Sequence, residues 1–483
     1  MKTQSMLKNV LVYCCVIAFF GLGIYAIIHA GSSLAPIAAS NFVQQNPASG
    51  AVIQNAASTG PLANLAQPLS LLLVQIIVVV MAARGLGMIF TKMGQPAVVG
   101  EMLAGILLGP SLMGWLMPQM ETFLFPASAM GALQLLSQVG VILFMFIVGT
   151  EVNLESLRNQ AHSAMLISHA GILVPFILGT GFSLLIYPMV GPAGVPFHAF
   201  ALFMGIAMSI TAFPVLARII EQRGLTGTSL GNLAIACAAV DDVTAWCLLA
   251  IVLSLAQSNG LMNSLLTVGL AISFILAMLF LVRPWLQRMM ENRHVTEAGT
   301  KGLFVNLLIF VFASALFTEA IGIHALFGAF LAGVVLPSPK ILRVQVSEHL
   351  ETFTAFLLPL FFAFTGLRTQ IGLLNDWQGW LLCIGIIAVA IAGKFGGAAL
   401  AARSTGVNWH QSLSIGALMN TRGLMELIVI NIGYDLGILS GRMFVMMVIM
   451  ALTTTIMTGP MLSLLNYWES RKRVPTPENS ITA

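Results

Sequence analysis

Two adjacent carboxylates, Asp241 and Asp242, lie near the middle of an apolar stretch running from about Gly231 to Leu255. That stretch is long enough to cross a hydrocarbon layer of about 30 Å. A charge at bilayer depth costs about 2.5–3.5 kcal/mol on insertion scales, so acids in such positions line ion or proton paths, or are neutralised by a neighbouring base. The chemistry open to an ionised carboxylate there is reversible binding of a hard cation or of a proton. A purely structural ion pair is the plainer alternative. A catalytic aspartyl dyad is a poor fit, because its two acids must face each other from different helices and no Gly-x-Gly-Asp sequence is present.

A basic partner exists. Lys394, in Ile391-Ala392-Gly393-Lys394-Phe395-Gly396-Gly397, falls in the middle of another apolar stretch, and the glycines around it allow close helix approach. Successive helical residues point about 100° apart, so Asp241 and Asp242 cannot both face Lys394. One pairs with it and the other faces a cavity. Spacing alone leaves open which does which.

Polar groups to serve the acids come from two interrupted spans. The span before the acidic pair reads Met208-Ser209-Ile210-Thr211-Ala212-Phe213-Pro214-Val215. Pro214 has no N–H and clashes with the preceding turn, which frees carbonyls near Ile210 and Thr211. A later span reads Met419-Asn420-Thr421-Arg422-Gly423-Leu424-Met425-Glu426, with four polar or glycine residues in a row. Broken backbone at membrane depth is tolerated where it lines a cavity or is buried in protein. Ser209, Thr211, Pro214, Asn420, Thr421, Arg422 and Glu426 are therefore the candidate cavity-lining residues. Arg422 and Glu426, spaced i, i+4, are also placed to pair with each other. Glu101, Glu151, Glu319 and Arg218 fall near span ends, and His169 and His324 read as hydrogen-bonded packing residues.

The elements that position these residues follow from composition. Of 483 residues 58% are hydrophobic and 8% charged, with mean hydropathy +0.95, which describes an integral membrane protein. The net charge of +4 carries no nucleic-acid signal, since the basic residues sit between spans. The five cysteines, Cys14, Cys15, Cys237, Cys247 and Cys383, lie in apolar runs without C-x-x-C spacing, so neither a zinc site nor a disulfide framework is indicated. The 27 methionines read as core packing.

The first apolar run, Val10 to Ala30, is expected to be a retained anchor helix, with a signal peptide as the alternative; residues 31–67 read as an extracytoplasmic linker. Apolar runs then follow at about 68–90, 98–116, 131–150, 163–187, 199–220, 231–256, 263–282, 302–322, 324–337, 352–374, 379–402, 410–434 and 442–467, before a short cytoplasmic tail at 469–483. With the N-terminus inside, all of the 21 Lys and Arg except Arg368, Arg442, Lys394 and Arg422 fall on the inner side, as the positive-inside rule requires.

The chain also repeats itself. Gly100-Glu101-Met102-Leu103-Ala104-Gly105 matches Gly328-Ala329-Phe330-Leu331-Ala332-Gly333, each followed by Pro-Ser (Pro110-Ser111, Pro337-Ser338). Phe144 to Gly149, with Glu151 beyond, echoes Phe361 to Gly366 with Arg368. Gly205 to Ser209 echoes Gly416 to Asn420. Repeats at 68–256 and 302–467, separated by the single span 263–282, insert in opposite orientations, the build of many secondary transporters.

At these residues the sequence resembles the monovalent cation:proton antiporter-2 family, near its plant-type cation/proton exchanger branch. The resemblance rests on Pro96-Ala97-Val98-Val99-Gly100-Glu101 through Gly109-Pro110-Ser111, on Ser209 through Arg218, on Gly322-Ile323-His324-Ala325-Leu326-Phe327-Gly328-Ala329-Phe330, and on Met419 through Leu427. It implies an all-α membrane protein, an inverted-repeat secondary transporter with two crossed discontinuous helices and about 13 core transmembrane helices plus one N-terminal helix. It also implies a homodimer, a dimerisation domain beside a mobile core, and elevator-like alternating access. The expected exchanger membrane domain is 68–468. The expected activity is exchange of Na+ or K+ for protons in a bacterial cytoplasmic membrane, with no cofactor and no enzymatic step. Asp242 would bind the monovalent cation or the proton, and Asp241 would pair with Lys394. Plant-type members commonly carry Asn-Asp where this chain has Asp241-Asp242, as relatives considered electrogenic do; electrogenic exchange is therefore expected. The potassium-efflux relatives' nucleotide-binding domain does not follow the spans here, and a cation channel or uniporter on the same scaffold is the alternative.

Overall fold

The computed structural model describes residues 18–34, 67–151, 161–257, 261–291, 297–322, 324–336 and 340–472. Residues 1–17, most of the 31–67 segment, Pro337-Ser338, the tail beyond Lys472 and the side chains of Glu151 and Arg218 lie outside the description.

A long apolar segment in lipid must satisfy its backbone internally, which selects helix. Among the described residues every regular element is helical. Ahead of the first repeat lies α1 (Ala18–Gly31); the repeat itself contains α2 (Pro68–Lys92), α3 (Ala97–Leu108), the short α4 (Met113–Leu116) and α5 (Pro118–Leu124), α6 (Ala127–Glu151), α7 (Ala161–Val190), α8 (Phe197–Ala207), α9 (Phe213–Gln222) and α10 (Ser229–Gln257). A linking helix, α11 (Leu261–Ala277), continues through a π turn at Met278–Val282 into Arg283–Glu291. The second repeat contains α12 (Glu297–Ala320), α13 (Ala325–Val334), α14 (Lys340–Leu367), α15 (Trp377–Ile391, continued through a π turn at Ala392–Gly396 into Gly397–Ser404), α16 (Trp409–Met419), α17 (Leu424–Asp435) and α18 (Gly441–Lys472). Nine helical stretches among the described residues are long and apolar enough to cross a membrane, with shorter apolar helices beside them.

The repeat motifs in the sequence mark the helix crossings. Gly105 of α3 lies against Gly366 of α14, and a Cβ on Gly105 would sit 1.9 Å from the Ala363 carbonyl oxygen. Gly333 of α13 lies against Gly149 of α6, where a Cβ would sit 2.2 Å from the Phe146 carbonyl oxygen. Each G-x-x-L-A-G helix thus crosses the phenylalanine-rich helix of the opposite repeat, the signature of a pseudo-two-fold arrangement. Small residues are what allow backbones this close in a membrane.

Two helix groups result. In one, α2, α3, α6, α12, α13 and α14 pack on one another; in the other, α7–α10 pack with α15–α18. The chain differs from the sequence reading at two spans. The 98–116 run divides at Gly109-Pro110 into α3 and α4, because proline cannot continue the hydrogen-bond ladder. The 324–337 run forms only the ten-residue α13, about 15 Å long and half a bilayer deep.

Candidate functional site

Both interrupted spans are broken where the sequence placed the breaks. α8 ends at Ala207 and α9 begins at Phe213. Pro214 stands in the first turn of α9, where its missing N–H leaves no ladder bond unmade. It starts a helix here instead of kinking one. α16 ends at Met419 and α17 begins at Leu424. Gly423, between them, has φ 134°, a conformation that glycine adopts without strain, and a Cβ on it would meet Val215 at 3.3 Å.

The breaks are bonded to each other. The Ala212 N–H donates to the Thr421 carbonyl at 3.0 Å, and the Thr211 hydroxyl donates to the Met419 carbonyl at 3.0 Å. Carbonyls left over at the end of α8 are taken by charged side chains. The Arg422 guanidinium donates to the carbonyls of Ala207 at 3.2 Å and Met208 at 2.6 Å, while pairing with Glu426 at 3.1 Å. Positive charge at a helix C-terminus is favoured by the aligned peptide dipoles. Arg422 and Glu426 do form the expected pair, but the arginine also joins the two repeats. Its five donors against one carboxylate were the available signal.

Lys394 does the same from α15. Its ammonium donates to the Ser209 carbonyl, and to both oxygens of Asp241 at 2.9 and 3.2 Å. Lys394 and Asp241 are both fully buried. Asp241 in turn accepts the Thr211 N–H at 3.0 Å, just ahead of α9, where a helix N-terminus favours negative charge. Lys394 lies within the π turn of α15, a feature that the sequence reading, which took the surrounding glycines as allowing close helix approach, did not anticipate. Gly393 packs on Pro175 of α7, with a Cβ clash at 2.7 Å. Such π turns are frequent at functional sites.

Asp242 is 1% exposed. On α10 it shares a face with Trp246, one turn further on. The Trp246 indole stacks on Phe330 of α13, ring centroids 6.4 Å apart, so that face of α10 turns toward the other helix group. Asp241 faces the core and its Lys394 partner, whereas Asp242 lies on the Trp246 face of α10 and is not among the residues lining the cavity between the helix groups. The remaining candidates are buried around the crossing: Ser209 donates to the Gly205 and Ile172 carbonyls at 2.6 and 3.0 Å, Thr421 contacts Thr458 at 3.3 Å, and Asn420 is 1% exposed.

A cavity of about 620 Å³ opens between the groups on the side of Arg84 and Lys92, and reaches Pro214 at the start of α9; Glu101, Phe144 and Phe362 line it. Arg84 and Lys92 are two of the residues that the charge distribution assigns to the inner side.

A family model described as sodium/hydrogen exchanger, transmembrane, matches residues 76–467, most of the chain. The chain belongs to the sodium/hydrogen exchanger family. This exchanger is 43% identical to the Na(+)/H(+) antiporter NhaS4 of Synechocystis sp. over 395 residues, covering 81% of this chain and 96% of that protein. It is 38% identical to Cation/H(+) antiporter 17 of Arabidopsis thaliana and 31% identical to K(+)/H(+) antiporter 1 of Saccharomyces cerevisiae, and spans 48% and 49% of their lengths. The exchanger's fold is similar to that of the sodium proton antiporter MjNhaP1 from Methanocaldococcus jannaschii, with TM-score 0.60 at 14% identity over 84% of this chain and 98% of that one.

Proposed function

We propose that the protein exchanges a monovalent cation, sodium or potassium, for protons by alternating access, Asp242 holding one or the other and never both. The observation that carries this reading is the split between the two acids. Asp241 is bound to Lys394 and the Thr211 N–H inside the core, whereas Asp242 lies on the face of α10 that meets the other helix group. Burial makes ionisation of a carboxylate at such a boundary costly, and in this reading a cation or a proton offsets that cost in turn. Competition for one site is sufficient to couple the two fluxes. Neutral oxygens of Ser209 and Thr211, which lie beside the Asp241–Lys394 pair, are of the kind that suits a hard cation. The names of the relatives, which include a Na(+)/H(+) and a K(+)/H(+) antiporter, favour the same class without selecting the ion.

The cycle is electrogenic in this reading. With Asp242 protonated, the Asp241–Lys394 pair is intact. A cation at ionised Asp242 draws Asp241 toward it, and the ammonium, left at that depth with the Ser209 carbonyl but no counter-charge, releases its proton. One cation then exchanges for two protons. The protein works as a homodimer in a bacterial cytoplasmic membrane, its α2–α6 and α12–α14 group static and its core moving. The test is a pH-dye assay in proteoliposomes, adding sodium, potassium or lithium separately. A cation-dependent proton flux is expected from one of them; cation movement without protons would assign a channel or uniporter instead.

A further inference from the structure

On the side opposite the cavity, the two helix groups are joined by a cluster that the exchange site does not use. Arg368, immediately after α14, pairs with Asp435 at the end of α17 at 2.5 Å and donates to Asn431 at 3.3 Å. Its guanidinium lies over the Tyr434 ring, 4.6 Å from the centroid. From α6, Gln134 donates to the second oxygen of Asp435 at 3.3 Å. Beneath these contacts Asn431 donates to the hydroxyl of Thr365 at 2.8 Å, and Thr365 is fully buried. α6 and α14 belong to one group and α17 to the other, so every one of these polar bonds crosses the boundary that alternating access must open. The cavity reaches α14 at Ala355 to Phe362, whereas Arg368 lies one to two turns further along the same helix direction. One side is open and the other is tied.

We propose that Arg368 and Asp435, with Asn431 and Gln134, form an outer clamp that holds this conformation closed toward the extracytoplasmic side and must part before Asp242 is reached from there. Arg368 and Asp435 are thus positioning residues acting on the conformational balance, touching neither cation nor proton. Their side chains are 18% and 31% exposed, so the pair is worth less than a buried one. A partly exposed ion pair backed by a cation–π contact shifts a two-state balance by about three- to tenfold. The inference rests on the alternating-access reading of the exchange site.

The experiment introduces Thr365→Cys, one turn beneath the clamp, in full-length protein whose five native cysteines are replaced, and follows labelling from outside in intact cells with a membrane-impermeant maleimide. Arg368→Gln and Asp435→Asn are each expected to speed labelling about three- to tenfold, and the charge swap Arg368→Asp with Asp435→Arg to bring it back toward the parent rate. Cation-driven proton flux is measured on the same variants. Unchanged labelling in both single variants, with normal flux, overturns the clamp alone. Faster labelling that the charge swap does not reverse also overturns it, because a merely loosened structure would give that result. Faster, swap-reversible labelling in protein that moves no protons supports the clamp while removing the antiporter reading.

Discussion

Asp242 differs from Asp241 by one position on a helix, and that position decides its chemistry. Asp241 receives an ammonium and a backbone N–H, so its charge is compensated within the core. Asp242→Asn keeps size and shape but removes the charge on which the proposed exchange depends. Proton flux driven by cation should fall to background in proteoliposomes while the variant elutes as the parent does in size-exclusion chromatography; normal flux would remove Asp242 as carrier. Asp241→Ala is a different kind of change. It strands a fully buried ammonium, and breaking a buried pair by deleting one partner costs about 3–5 kcal/mol. A marked drop in thermal stability should accompany any loss of transport, and a Tm equal to the parent's would contradict the pairing. Lys394→Gln, which retains a donor toward Ser209, should leave exchange running but electroneutral.

At the scale of elements, the crossings of α3 with α14 and of α13 with α6 depend on glycine. At Gly105 and Gly333 even one methyl group would enter a backbone carbonyl of the facing helix, and no rotamer change relieves a backbone clash. Gly105→Ala and Gly333→Ala should each give aggregated or poorly expressed protein by fluorescence-detected chromatography. Gly131→Ala, on α6 with nothing within 4 Å of the added atom, should behave as the parent. Equal behaviour of all three would show that the crossings are wider than described. A second element contact is electrostatic. Arg442 at the start of α18 bonds Asp376, the cap of α15, and that hydrogen bond, more than the charge itself, holds the Asp376 carboxyl below the usual carboxylate range. A depressed carboxyl contributes stability above its unfolded pKa and loses it as pH falls through the folded value. The stability gap between parent and Arg442→Gln should therefore be present at pH 7 and narrow below about pH 4; a gap independent of pH would mean that the arginine acts through packing.

For the whole molecule, the proposed two-proton cycle predicts that transport responds to voltage. In that proposed cycle one cation moves against two protons, so net charge crosses the membrane, and a potential of 100 mV is worth about 2.3 kcal/mol per charge. Sodium-driven exchange in vesicles should accelerate or slow according to the sign of a valinomycin-imposed potassium potential. Exchange indifferent to that potential would exclude the two-proton cycle and leave Lys394 a structural partner of Asp241.

Much of this architecture was legible in the chain because a bilayer permits few solutions. Apolar runs of known length must be helices, lysine and arginine report orientation, and matched motifs such as G-x-x-L-A-G disclose the repeats. Adjacent acids, a lone interior lysine and two polar interruptions were enough to nominate Asp241, Asp242, Lys394 and the residues from Ser209 to Glu426. What periodicity cannot convey is which groups from distant segments share a point in space. Only the tertiary structure gives Lys394 to Asp241 and to the Ser209 carbonyl, sends Arg422 across to the end of α8, and closes Arg368 on Asp435. Each of these is a long-range contact between charged or carbonyl groups whose partners are chosen by helix packing, and packing is set by where glycines let backbones meet.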